Sequence, residues 1–97
     1  MSQPSFDALI EIFSGKRHLN LRNLDLSNNK MGDKVAIKLI HTVLLKTLIL
    51  ENINLSRNNL GFKTGAVVMN LLVEPVIKEN TRMRVIDLSY NTISLLL

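Results

Sequence analysis

Residues 21–31 read LRNLDLSNNKM, and their spacing returns twice more along the chain. The first copy is Leu21-x-x-Leu24-x-Leu26-x-x-Asn29-x-Met31. The second is Leu50-x-x-Ile53-x-Leu55-x-x-Asn58-x-Leu60, and the third is Met83-x-x-Ile86-x-Leu88-x-x-Asn91-x-Ile93. The three asparagines stand 29 and then 33 residues apart. A fixed apolar spacing with one fixed amide, returning at that period, signals a solenoid. One unit of such a stack cannot bury its apolar face alone, so neighbours close the core for each other. Stacks of this kind offer a surface more often than a catalytic cleft.

The rest of the composition fits thin, aliphatic layers. Ninety-seven residues make one domain. Hydrophobic residues are 46% of the chain, which is ordinary for a folded protein and argues against disorder. Aromatics are 4% and Trp is absent, so the core must be aliphatic. With no Cys, a disulfide framework and a thiolate metal site are both excluded.

Charge and termini narrow the partner class. The net charge is +4, and Lys16, Arg17 and His18 form the tight basic cluster. That cluster reads as a solvated turn. A nucleic-acid footprint needs a basic stripe with stacking aromatics, and the aromatics are missing. The opening MSQPSFDALIEIFSG holds Asp7 and Glu11 within its apolar stretch and has no leading positive charge, unlike a signal peptide. No apolar run approaches the ~20 residues that span a bilayer. The expectation is a cytoplasmic, or at least intracellular, protein with neither nucleic acid nor membrane as partner.

Periodicity then places the elements. Phe6, Leu9, Ile10 and Phe13 predict a short amphipathic helix over residues 5–13, with Ser5 as its cap. Ser14-Gly15 stops it, and residues 16–20 read as a loop. Leu24 and Leu26 alternate with Asn23, Asp25 and Ser27, as in a strand with one buried face. A second helix runs from Asp33, its expected N-cap, to Leu44, with Ala36, Leu39, Ile40, Val43 and Leu44 as its apolar stripe. The next strand centres on Ile53 and Leu55. A third helix is expected over residues 64–78, with Ala66, Met69, Leu72 and Val73 facing inward and Pro75 breaking or kinking it. The last strand covers residues 85–88. Leu45-x-x-Leu48-x-Leu50 offers a rival frame for the second strand, but its ninth position is Ile53 instead of Asn, which favours the Leu50 frame.

The repeat has a physical reason. After each strand the chain bends sharply toward its helix, and that bend buries backbone groups with no strand partner. Leaving one such group unsatisfied costs about 1–3 kcal/mol. An inward asparagine amide both donates and accepts, so Asn29, Asn58 and Asn91 can satisfy those groups as a ladder. Met31, Leu60 and Ile93 then close the bottom of each layer.

The segments LRNLDLSNNKMGD and MRVIDLSYNTIS resemble the leucine-rich repeat family. The 29-residue spacing, the helix between strands and the Gly32-Asp33 turn are similar to the ribonuclease-inhibitor subtype, and Glu79-Asn80-Thr81 looks like its usual linker. The resemblance implies an α/β fold: a leucine-rich repeat solenoid with parallel strands on the concave side and helices on the convex side. It divides residues 1–97 into a single segment with units 1–20 (partial), 21–49, 50–82 and 83–97 (partial). Two departures stand out. Gly65 reads as one place later than the family's small residue, and the third unit stops at Leu97 without its helix. The tail Ile93-Ser94-Leu95-Leu96-Leu97 is therefore expected to be an open apolar face. A fragment, a truncated isoform or a subunit docked into a larger complex follows from that.

The concave face is expected to carry Asn23, Asp25 and Ser27, then Asn52, Asn54 and Ser56, then Val85, Asp87 and Ser89, with Asn28, Arg57 and Tyr90 just past it. A solvated sheet surface accounts for these polar residues as well as a partner-binding strip does. Arg57 and Tyr90 are the expected anchors, since interface hot spots favour Arg and Tyr. Asp25 and Asp87 fall two layers apart, about 10 Å. No positioned nucleophile or base accompanies them, so they read as an echo of the repeat and not as an acid pair. His18 and His41 lack a second ligand at metal spacing. Gly32 and Gly61 are loop glycines, not a phosphate cradle. The expectation is no enzyme, no metal and no cofactor.

Protein–protein interaction, as a scaffold or recognition segment using the concave strand face, is the favoured function. Resemblance suggests cytoskeletal or ciliary assembly, small-GTPase regulation, ubiquitin-ligase adaptors or innate sensors as contexts. The alternative is a structural subunit that docks through its apolar C-terminal end, with no dedicated ligand face.

Overall fold

Short strands separated by helices give the chain its order. The structure, a computed structural model, describes residues 2–14, 21–46 and 50–92. Helix α1 (Gln3–Ser14) buries Phe6 and Phe13, with Leu9 and Ile10 packed behind them. Helix α2 (Gly32–Lys46) buries Ala36, Leu39, Ile40, Val43 and Leu44, the stripe its periodicity predicts, and Val35 besides. Strands β1 (Asn23–Asp25), β2 (Asn52–Asn54) and β3 (Val85–Asp87) form an open parallel sheet in the order β1-β2-β3. Leu24 pairs with Ile53, and Ile53 with Ile86. That register selects the Leu50 frame over the Leu45 frame. Helices α1, α2 and α3 (Phe62–Leu72) neighbour one another in the same sequence.

The third helical region starts at Phe62 instead of Thr64 and breaks at Pro75, as its sequence reading allows: it is two helices, α3 and a short α4 (Pro75–Asn80), with Pro75 opening the second. Proline lacks the N–H that a continuing helix needs, and it holds the preceding Glu74 extended. The inward face is also different. Thr64, Gly65, Val68 and Leu71 are buried, whereas Ala66, Met69, Leu72 and Val73 lie on the exposed side, Met69 at 49%. Both stripes are apolar at helical spacing, so periodicity alone does not choose between them. Thr64 chooses, because its hydroxyl and N–H are tied to Asp33 of the preceding unit. Gly65 then follows Asn58 by the same interval that separates Ala36 from Asn29, and both are buried. Gly65 is in place, not displaced by one.

Apolar side chains from every described unit join one cluster. The middle unit is sealed: Leu50, Leu55 and Leu60 are fully buried. In the third unit Met83, Ile86 and Leu88 are only half-buried. Ile93 and the apolar tail 93–97 lie outside the described residues, as do the loop 16–20 and its Lys16-Arg17-His18 cluster.

Candidate functional site

The turns after the strands and the outer face of the sheet are built from one repeated set of bonds. Asn58, 0% exposed, is the centre of the middle turn. Its Nδ2 donates to the carbonyls of Leu26 (2.8 Å), Leu55 (3.1 Å) and Ser56 (3.2 Å). Its Oδ1 accepts from the N–H groups of Asn29 (2.9 Å) and Met31 (3.3 Å). Asn91 repeats this one layer on. Its Nδ2 donates to Leu55, Leu88 and Ser89 carbonyls, and its Oδ1 accepts from the Asn58 and Leu60 N–H groups. Asn29 Nδ2 donates to the Leu26 and Ser27 carbonyls. All three side chains bond main chain of their own turn, and Asn58 and Asn91 also bond main chain of the preceding layer. A wet alternative is closed to Asn58, since burial leaves no water to replace a lost partner.

These turns force uncommon backbone. Asn28 (φ 57°), Arg57 (φ 55°) and Tyr90 (φ 55°), each one residue before a ladder asparagine, lie in the left-handed region. Asn tolerates that region, but for other L-residues it costs roughly 1–2 kcal/mol. Arg57 and Tyr90 thus occupy positions where Asn or Gly is the cheaper choice. Both are exposed, Tyr90 at 76%, and the Arg57 guanidinium carbon sits 4.5 Å from the Tyr90 ring centroid. That is a cation–π contact between consecutive layers.

On the outer face of the strands, Asn52 Nδ2 donates to Asn23 Oδ1 at 2.6 Å. Asp25, Asn54 and Asp87 each accept the N–H of the serine two residues on, Ser27, Ser56 and Ser89. One side-chain oxygen of each of these three expected contact residues therefore also folds the turn. The Ser27 N–H and then its hydroxyl hold the Asp25 carboxyl below the usual carboxylate value. The Ser89 hydroxyl and then its N–H do the same for Asp87. Both are anions at neutral pH. Asn23, Asp25, Asn52, Asn54, Val85 and Asp87 line one shallow depression of about 290 Å³. Small-molecule sites are enclosed and run ~300–1,000 Å³, so this open face suits an extended protein surface better than a small ligand. Val85, 52% exposed, supplies its apolar patch.

Sequence reasoning missed a bond at the start of α3. Asp33 does not cap its own helix, which already begins at Gly32. Its Oδ1 accepts from the Gly61 N–H, the Thr64 N–H and the Thr64 hydroxyl. Gly61 is the N-cap of α3 and has no side chain to offer, so the preceding unit supplies the carboxylate. A Cβ on Gly61 would stand 3.1 Å from Asp33 Oδ2, so the glycine makes room for the cap. Burial raises the Asp33 carboxyl, but the Thr64 hydroxyl, the Gly61 and Thr64 N–H groups and Lys63 outweigh it, and the group is held below its usual value. The signal was a helix start with glycine where Ser, Thr, Asp or Asn is preferred.

His41 is exposed, and His18 lies outside the described residues. Among the described residues no three His, Asp or Glu side chains gather as a metal would need, and no helix is long and apolar enough to cross a membrane. No curated protein and no solved structure matches the chain. Residues 20–40, which hold β1, the Asn29 turn and the start of α2, match the Leucine Rich Repeat family model. The chain therefore carries a leucine-rich repeat, a fold that is generally non-enzymatic and that typically binds other proteins.

Proposed function

We propose that the chain is a stretch of a ribonuclease-inhibitor-like solenoid, and that it works as a protein-interaction module through the outer face of its strands. The 29-residue strand register and the helix between strands support the subtype. The observation that carries the interaction reading is the Arg57–Tyr90 contact. Two residues in unfavourable backbone, both exposed and on consecutive layers, hold each other in a cation–π contact. The turn sets the left-handed backbone, as it does at Asn28, but not the choice of Arg and Tyr there, and that choice supports recognition. Arg57 and Tyr90 are the anchors, and Asn23, Asp25, Asn52, Asn54, Val85 and Asp87 form the adjoining strip. Asp25 and Asp87 favour a partner segment that brings a Lys or Arg into the depression.

The test compares partners cross-linked in cells to the wild-type chain and to the Arg57→Ala/Tyr90→Ala variant, with both proteins checked for equal folding. The expected result is a partner set lost from the variant and kept by the wild type. Identical partner sets would overturn the reading. An apolar C-terminal docking end remains the alternative proposal, and Leu95→Asp/Leu96→Asp is the variant that separates it from the strand-face reading.

A further inference from the structure

Between the end of each strand and the first turn of the helix after it, the chain forms a rim. Lys30 and Lys34 lie on this rim after β1, and Arg57 and Lys63 lie on it after β2, all exposed. The two turns stack: the Asn28 N–H donates to the Ser56 carbonyl and the Gly32 N–H to the Asn58 carbonyl. Each of these cations stands where local preference is against it. Lys30 (φ 51°) and Arg57 (φ 55°) occupy left-handed backbone, which the turn imposes and which suits Asn better. The other layer does use Asn at each place: Asn59 (φ 56°) matches Lys30, and Asn28 (φ 57°) matches Arg57. Lys34 and Lys63 hold the same place in the first turns of α2 and α3. A cation there opposes the positive end of the helix, where Asp or Glu is preferred.

These charges are not answered inside the chain. Among the described residues the ion pair is Arg22–Glu51, which lies at the opposite ends of the strands. The acid on the turn rim, Asp33, has its Oδ1 committed to Gly61 and Thr64. Arg57 meets the Tyr90 ring, a contact that leaves its charge in place. The rim at the strand starts differs in kind, because Arg22, Arg82 and Arg84 share it with Glu51 and Glu79.

We infer that the turn rim receives an acidic segment of a partner protein, held by Lys30, Lys34, Arg57 and Lys63. The leucine-rich repeat fold typically binds other proteins, so the complementary anion is a run of Asp and Glu side chains. The cations cover two layers, roughly 5 Å apart at the strands and ~8–10 Å at the helices, so about four extended residues span them. Asp25 and Asp87 repel the same segment from the strand face, so it runs along the turns and not over the sheet. This surface lies beyond the strand-face reading and shares only Arg57 with it.

Titration of the full chain with octaglutamate in about 0.15 M salt, read by amide chemical shifts, tests this. Shifts should concentrate at residues 28–34 and 57–64 and leave residues 82–85 unmoved. Lys30→Asn/Lys63→Gln should weaken binding roughly fivefold or more. Both replacements suit their backbone, and unshifted core amides report that the variant is folded. Neither touches the Arg57–Tyr90 contact, so failure here is distinct from failure of the strand-face reading. Arg84→Gln, on the other rim, should change affinity by less than about twofold. No binding, equal shifts on both rims, or affinity indifferent to Lys30→Asn/Lys63→Gln would overturn the inference. So would tighter capture of octathymidylate at the same residues, which would make the anion a nucleic-acid phosphate.

Discussion

The middle and third turns of this chain are made of nearly the same bonds and sit in different surroundings. Asn58 and Asn91 each use one amide to satisfy main-chain groups of two layers. Asn58 is sealed beneath covering layers on both sides, while Asn91 is half-buried at the edge of the described stack. Leu55 is fully buried and Leu88 is half-buried in the matching position. The difference teaches that identity of residue does not set its energetic weight in a stack. Weight comes from whether water can replace what is lost.

The strongest way to break the comparison is Asn58→Ala. It leaves the Asn29 and Met31 N–H groups without their acceptor, the Met31 group buried, and takes one of two amide donors from the Leu26 carbonyl; the expected loss is about 3–5 kcal/mol. Asn91→Ala should cost about 1–2 kcal/mol, because solvent reaches its partners. Equal losses by chemical denaturation would mean that the two turns share one environment. Leu55→Ala and Leu88→Ala sharpen the point without polar groups. The first should cost about 2–5 kcal/mol and the second roughly half as much.

Asp33→Ala comes next, at about 1–2 kcal/mol for a lost helix cap. Its pH dependence has a definite sign. The folded-state value is depressed, so the stabilisation is complete above the unfolded-state value near about 4 and disappears as pH falls through the lower folded value. Denaturation midpoints measured from neutral to acid pH should fall less steeply in Asp33→Ala than in the wild type. Parallel curves would show that the carboxylate carries no such linkage. The smallest effect is expected at the surface pair. Arg57→Gly and Tyr90→Gly each relieve left-handed backbone while losing a cation–π contact of about 0.5–1 kcal/mol. Stability should stay within about 0.5 kcal/mol of wild type, while partner cross-linking falls.

Much of the fold was legible because the repeat states it three times. The strand register could be read from the asparagine positions, and α2 from an apolar stripe flanked by charges. The face of α3 could not be read, since Ala66, Met69 and Leu72 alternate with Val68 and Leu71 as two equally apolar stripes. A contact from another unit, Asp33 to Thr64, rotates the helix, and no local window contains it. The outer face was legible as a list of residues but not as chemistry. That Asp25, Asn54 and Asp87 spend one oxygen on the turn below is a three-dimensional fact. The adjacency of Arg57 and Tyr90 followed from layer arithmetic, but their stacking needed coordinates.

The carboxylate that starts α3 from the preceding helix changes where a module can be cut. A designer who excises residues 50–82 by following the sequence period leaves Thr64 and Gly61 without their acceptor, and a transplanted copy would fray at that helix. The transferable brick runs from Gly32 through Thr64, across the apparent seam, so any array assembled from this chain should be spliced inside α3 and not at the strand.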